Sequence, residues 1–230
     1  MFPTIHPPAR RLLVFARVPE PGRVKTRLAE AIGAERALAA YEAMLGDLLA
    51  SIGGADRQIE IEILWAPTAT ANGAMLRRAF GERSLAMQTG SDLGDRLAMA
   101  FSERFFFHRT QKIVAIGVDD PLLPRAIIDD AFALLESCDW VLGPADDGGY
   151  YLIGCRAAVF NAEIFRHVPW GSNHVLQLTL TRIREMRNTV SMLPQRYDID
   201  VVDDLRRFAR EHANDESELA RLLRDWGMAA

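Results

Sequence analysis

Apolar positions along this chain fall into short runs and helical stripes that alternate. Leu12 to Ala16 is a short apolar run after Arg10-Arg11, the pattern of a buried strand. From about Glu35 to Ser51, Leu38, Tyr41, Leu45 and Leu48 recur at helical spacing, and Gly53-Gly54 ends the stripe. Ile59 to Trp65 (I-E-I-E-I-L-W) alternates and then turns apolar, which predicts a strand; a short helix (about Ala74 to Phe80) and a weak strand (Leu85 to Gln88) follow. Leu93, Leu97, Ala100, Phe101 and Phe105 mark one face of a helix with Ser91 or Asp92 as its N-cap, and Phe105-Phe106-Phe107 reads as the end of that buried face. Lys112 to Val118 (K-I-V-A-I-G-V) is continuous, β-branched and apolar, as a central strand should be. Pro124 is expected to open a helix at its first position and carry it to about Ser137. Strands at Trp140 to Leu142 and Tyr150 to Gly154 flank a Gly148-Gly149 turn. Helices are expected near 157–166, 173–187, 203–212 and 215–226, with a strand near 189–193. Strands alternating with helices predict an α/β fold with a mostly parallel sheet covered on both faces. Residues 1–10 hold three prolines and no periodicity, so they are expected to form an arm, with 11–230 a single domain.

Composition narrows the class. At 230 residues, 49% apolar and 25% charged, the chain has ample material for a core. A net charge of −4 argues against a protein that wraps nucleic acid, so any basic patch must be local. No apolar run approaches the roughly 18 residues of a membrane span, and none resembles a signal-peptide core. The two cysteines, Cys138 and Cys155, lack C-x-x-C spacing and read as buried thiols of a reducing compartment, the cytoplasm by default. Oligomeric state leaves no mark on the sequence.

Three polar motifs follow predicted strands. The loop after the first strand carries Arg17, Arg23, Lys25 and Arg27 against Glu20 alone; Asp119-Asp120-Pro121 follows the Lys112 strand; Asp146-Asp147-Gly148-Gly149 follows the Trp140 strand. Ligands of parallel α/β sheets bind outside the carboxyl ends of strands, so cations and carboxylates are expected to converge on one edge. The basic loop has neither Walker A nor G-x-G-x-x-G spacing. A di- or triphosphate needs such cations and a hard divalent ion, Mg²⁺ or Mn²⁺, held by one or two carboxylates. Asp119, leaving a rigid strand, is the carboxylate best placed to hold it. Each motif also has a plain structural reading: a solvated connector for the basic loop, helix caps for Asp92, Asp119 and Asp120, a turn for Asp146-Asp147, and an ordinary histidine for His174.

The set P-E-P-G-R-V-K-T-R-L (19–28), D-L-G-D-R-L (92–97), I-G-V-D-D-P-L-L-P (116–124), G-P-A-D-D-G-G-Y-Y-L-I-G (143–154) and D-I-D-V-V-D-D-L (198–205) resembles the DUF2064 family. These are glycosyltransferase-type proteins of the GT-A nucleotide-diphospho-sugar transferase superfamily, some associated with arsenosugar biosynthesis. The resemblance implies a GT-A fold, a Rossmann-like three-layer α/β/α arrangement with a mixed sheet. It implies that Gly22, Lys25 and Arg27 cradle phosphates, with Arg17 a lesser contributor. Asp92 and Gly94 would lie near the nucleoside, Asp119 would hold the metal with Asp120 as a possible second ligand, and Asp147 would be the second acidic position, a candidate base. Two places depart from the pattern: Asp120 stands where a small residue or Cys is usual, and W-G-S-N-H (170–174) replaces W-S-T.

The implied partners are a nucleotide-diphospho-sugar and a small-molecule acceptor, with no nucleic acid and no membrane. The alternative is a nucleotidyltransferase using an NTP and a phosphorylated acceptor, since K-T-R-L also resembles the guanylyltransferases of the deazaflavin-cofactor pathway. A third expectation, from another class, is a non-catalytic nucleotide-binding protein, whose sign would be binding that needs no metal.

Overall fold

The computed structural model describes residues 9–53 and 58–228. The expected arm therefore lies outside the described residues except for Ala9 and Arg10, and Arg10 already belongs to the first strand. The elements run β1 (Arg10–Arg17), α1 (Thr26–Ile32), α2 (Ala34–Ile52), β2 (Ile59–Ala66), α3 (Gly73–Phe80), β3 (Ser84–Met87), α4 (Leu93–Phe106) and β4 (Lys112–Ile116). They continue with α5 (Arg125–Leu134), β5 (Trp140–Pro144), β6 (Tyr150–Arg156), α6 (Val175–Glu185), β7 (Val190–Met192), α7 (Val202–Glu211) and α8 (Glu218–Asp225).

The strands form one sheet in the order β3-β2-β1-β4-β6-β5-β7. β6 runs antiparallel to both β4 and β5, and the other pairings are parallel. The carboxyl ends of β1, β2, β4 and β5 thus share one edge with the amino end of β6. Alternation along β1 divides the core: Leu12, Val14 and Ala16 pack under α1, α2, α5, α7 and α8, whereas Leu13 packs with α4, α6 and the 162–165 segment. Burying each large side chain contributes roughly 1.5–3 kcal/mol, so a strand with both faces filled is a strong constraint on register. Among the described residues no helix is long and apolar enough to cross a membrane. Cys138 and Cys155 are both free and buried, as expected.

Four expectations need correction. The basic segment is not all loop: Arg17 ends β1 and Arg27 lies in α1, a short helix that Gly33 (φ +83°) separates from α2. With Leu28 its one buried residue, α1 has no stripe to read. The expected helix near 157–166 is two 3₁₀ turns, Ala157–Val159 and Ala162–Phe165, the second opened by Asn161 accepting from the Glu163 N–H. Pro124 is the N-cap rather than the first helical residue, and its helix stops at Leu134. Phe105 is buried but Phe106 and Phe107 are 69% and 82% exposed; successive helical residues point about 100° apart and cannot share a face.

Candidate functional site

The shared sheet edge opens into a cleft of about 660 Å³. Of the residues expected to act, Arg17, Lys25, Arg27, Asp92, Asp119 and Asp120 line it; Gly22, Gly94 and Asp147 do not.

The loop after β1 is built to deliver Lys25. Pro21 and Gly22 occupy the middle of a turn closed by the Arg23 N–H on the Glu20 carbonyl at 3.1 Å. Gly22 has φ +71°, the positive value a type II turn requires at that position. Glu20 ties the loop to the segment after β2, accepting from Thr68 Oγ1 at 2.9 Å and Thr70 Oγ1 at 2.5 Å. Thr70 in particular holds its carboxyl below the usual range. Lys25 then adopts a left-handed conformation (φ +45°, ψ +49°), which costs a non-glycine residue roughly 1–2 kcal/mol. Something must hold it there, and three oxygens do. Lys25 Nζ donates to Asp119 Oδ1 at 2.5 Å, to the Ile199 carbonyl at 2.5 Å and to Asp200 Oδ1 at 2.8 Å. Its side chain is only 6% exposed. Burial would lower its proton affinity, but Asp119 and Asp200 outweigh that and leave it raised, so the ammonium form is secure.

The segment after β7 supplies the rest. The Ile199 N–H donates to the Asp119 carbonyl at 2.9 Å, stitching this segment to the end of β4. Asp204 Oδ2 accepts from the Asp200 and Val201 N–H groups at 3.0 and 2.9 Å, capping α7 and fixing the approach of Asp200. Asp198 lines the cleft two residues earlier. Burial, and then the charges of Asp119, Asp147 and Asp200, push its carboxyl up to about 8, with Lys25 partly offsetting them.

Asp120 lines the cleft but is engaged elsewhere. Arg196 grips both of its oxygens, Nη2 reaching Oδ1 at 3.2 Å and Nε reaching Oδ2. Asp147 Oδ1 accepts from the Gly149 N–H at 2.8 Å, so the D-G-G segment is a turn, with Asp147 exposed at the rim. Gly148 is required there: φ is +88°, and a Cβ would stand 2.3 Å from the Asn173 carbonyl oxygen. Asp92 caps α4 by accepting from the Asp95 N–H at 2.8 Å. Gly94 serves close packing, since a Cβ there would lie 2.4 Å from the Phe165 carbonyl oxygen and 2.7 Å from Trp170 Nε1. His174 precedes α6 without capping it through its side chain.

Arg17, Arg27 and Arg96 line the cleft with no carboxylate partner among the described residues. Tyr41 Oη bridges the backbone N–H and carbonyl of Arg17 at 2.8 and 3.0 Å, and the Arg17 guanidinium donates to the Arg23 carbonyl at 3.1 Å. Arg27 is exposed on α1, and Arg96 donates to the Gly90 carbonyl at 3.3 Å. Asp198, Asp200 and Arg96 are absent from the residue-level expectations. For the two aspartates a signal existed, the D-I-D spacing, but nothing local ties residues 198–200 to a strand end near Lys25.

The cleft thus sets one buried ammonium, held by carboxylates, beside arginines that among the described residues bond no carboxylate. Comparisons with known proteins show the fold and the family. A crystal structure from Desulfovibrio desulfuricans G20, described as a "putative nucleotide-diphospho-sugar transferase", matches at 32% identity over 96% of both chains with a TM-score of 0.90. A cytidylyltransferase from Leptospira borgpetersenii shares the fold at 14% identity and TM-score 0.57, over 96% of both chains. So does an inositol-1-phosphate CTP transferase from T. maritima, at 13% identity and TM-score 0.54, over 94% of this chain and 97% of that one. No curated protein matches the sequence. The profile of a family described as "uncharacterized protein conserved in bacteria (DUF2064)" matches residues 52–172, and with the D. desulfuricans relative it establishes that the chain belongs to the DUF2064 family.

Proposed function

We propose that this protein is a metal-dependent transferase that binds a nucleotide-diphospho-sugar and passes the sugar to a small acceptor. The observation that carries the reading is the Lys25 nest: Asp119 Oδ1, Asp200 Oδ1 and the Ile199 carbonyl converge on one point, 2.5–2.8 Å from a cation. Asp119 and Asp200 each give only Oδ1 to Lys25, so their second oxygens would serve Mg²⁺ or Mn²⁺ beside the ammonium, with phosphate and water completing the shell. Asp119 and Asp200 would hold the ion; Asp120, committed to Arg196, would orient the strand end instead. When bound, the ion would neutralise charge on the diphosphate.

The chain's own residues supply the rest. The bond that breaks joins the anomeric carbon to a diphosphate oxygen, and its electron pair leaves with the diphosphate. Lys25 and Arg27, with Arg17 and Arg96 on the rim, face the charge that develops, the kind of electrostatic stabilisation that is usually the largest catalytic term. The acceptor hydroxyl forms the new bond and gives up its proton to a carboxylate. Asp147 and Asp198 are the candidates, and Asp198 is the one of the two that lines the cleft.

The test is a turnover assay over NDP-sugars with Mn²⁺ or Mg²⁺, reading released nucleotide diphosphate. Release of pyrophosphate from an NTP and a phosphorylated acceptor would replace glycosyl transfer by nucleotidyl transfer. Nucleotide binding indifferent to metal, with no turnover, would replace both by a binding protein.

A further inference from the structure

Arg196 joins three carboxylate-bearing segments at the cleft. Its backbone N–H donates to the Pro144 carbonyl at 3.1 Å, and its carbonyl accepts from the Asp146 N–H at 2.9 Å. Arg196 thereby continues the parallel pairing of β5 with the β7 chain, just where β5 gives way to the turn that bears Asp147. Its guanidinium leaves that edge and grips both oxygens of Asp120, the residue after Asp119. β6 lies between β4 and β5, so the pair ties together the ends of two strands that are not neighbours. Tyr151 of β6 braces the same stretch, donating to the Pro194 carbonyl at 3.0 Å. Two residues beyond Arg196 stands Asp198, and four beyond stands Asp200. Besides Lys25, two ties therefore hold this segment to the end of β4: the Ile199 N–H on the Asp119 carbonyl at 2.9 Å, and the Arg196–Asp120 pair. A single hydrogen bond is a hinge, whereas a planar fork on a carboxylate fixes orientation as well. The Asp120 side chain is only 10% exposed, so the pair is sheltered from solvent screening.

We propose that Arg196 is a positioning residue: by holding Asp120 it sets the separation and angle of Asp119 and Asp200, and with them the affinity for the divalent ion. The inference rests on the metal reading given above. Small hard cations demand near-ideal geometry, and partners that orient the ligands without touching the metal typically govern about 10–100-fold of its affinity. Two other roles forecast the opposite. If Arg196 served only to neutralise charge, removing it would leave Asp120 as a further bare carboxylate beside the cleft and would strengthen cation binding. If Asp120 were itself a ligand, freeing it from Arg196 would leave affinity unchanged or higher. Only an orienting role makes the loss of this arginine weaken the binding of a cation.

The experiment titrates Mn²⁺ into the protein with ADP, GDP, CDP or UDP present, reading free Mn²⁺ by its paramagnetic resonance, for wild type, Arg196→Met, Asp120→Asn and the double variant. Each single variant should weaken Mn²⁺ binding about tenfold. The double variant should lose little more than either single one, because the two side chains act as one unit. Arg196→Lys, whose ammonium cannot grip both oxygens as a fork does, should fall between wild type and Arg196→Met. Mn²⁺ affinity in Arg196→Met equal to or above that of wild type overturns the role, whatever its melting temperature, and so does a double variant in which the two losses multiply. Wild type that binds no Mn²⁺ with any of the four nucleotides overturns the metal reading itself. If Arg196→Met does not fold, Arg196→Lys and Asp120→Asn decide: loss in both supports the role, and wild-type affinity in either overturns it.

Discussion

Among the described residues, two charge clusters each centre on one buried ionised side chain, Glu62 in one and Lys25 in the other, and they are built on opposite principles. On the face of the sheet that α4 covers, Glu62 on β2 is gripped by Arg104 at 2.7 and 3.0 Å and by Arg11 at 2.8 Å. Each arginine also reaches a more exposed acid, Glu60 for Arg11 at 2.9 Å and Glu103 for Arg104 at 2.6 Å. Two guanidiniums face three carboxylates, and the fully buried acid has a cation on each oxygen. Burial would raise the proton affinity of Glu62, but Arg104 and then Arg11 outweigh it and hold the carboxyl below its usual range. At the cleft, Lys25 is held by Asp119 and Asp200, and burial with the charges of Asp119, Asp147 and Asp200 drives the Asp198 carboxyl up to about 8. In the first cluster each oxygen of the buried acid has a cation; in the second, carboxylates crowd one ammonium and Asp198 is left without a cation on it among the described residues, a crowding that a bound cation would relieve. A buried acid matched oxygen by oxygen marks a structural cluster here, and crowded carboxylates in an open cleft mark the candidate site.

The sharpest way to break that contrast is to damage the buried cluster. Glu62→Gln removes the carboxylate that two buried guanidiniums share and leaves them only the more exposed Glu60 and Glu103; it should cost about 3 kcal/mol, with a melting temperature lower by about 10 °C. Calorimetric melting checks this; a loss below a degree would show that the cluster is not structural. Its counterpart, Asp119→Asn, should abolish metal-dependent nucleotide binding and turnover while moving the melting temperature by no more than a few degrees. Activity equal to wild type would remove Asp119 from the metal site. Lys25→Met should weaken NDP-sugar binding by about tenfold and flatten its salt dependence, because the lost contact is electrostatic. Titrations at low and high salt that superimpose on those of wild type would remove Lys25 from the phosphate site.

The two clusters should also respond to pH with opposite signs. Glu62 has a depressed proton affinity in the folded state, so its stabilisation is present above the usual glutamate range and is lost as pH falls below it. Asp198 has a raised one, so the metal-free native state holds a proton that the unfolded chain has released, and stability declines as pH rises from about 4 to about 8. Asp198→Asn should flatten that decline and raise the melting temperature by a few degrees at pH 8.5 in EDTA, with little effect at pH 4. Parallel pH profiles for wild type and Asp198→Asn would contradict the crowding of carboxylates around it.

Much of the fold was legible because it rests on local periodicity. The runs at Leu12, Ile59 and Lys112 and the stripes of α2 and α4 each carry enough apolar positions to name their own type. Elements with a weak apolar face escaped: α1 buries only Leu28, and the 157–166 stretch buries its Phe165 from a 3₁₀ turn rather than a helix. At the site, the motifs after β1 and β4 did meet at one edge of the sheet. Their finer assignment was less legible. Asp119 and Asp120 are neighbours in sequence, yet one turns to Lys25 and the other to Arg196, 76 residues away. Gly94, beside the N-cap Asp92, proves to be a packing glycine because Phe165 and Trp170 press against α4 there.

The sequence by itself determined the alternation of strands and helices, the edge on which polar motifs gather, and the family, since short-range patterning and motif order are local properties of the chain. Only the tertiary structure decided which carboxylates share Lys25. Asp119 lies 94 residues from it and Asp200 lies 175 residues away, and both meet it because β4 runs beside β1 while the segment after β7 folds back against the end of β4. A contact between residues so distant depends on which competitor reaches each oxygen first in space. For Asp120 that competitor is Arg196.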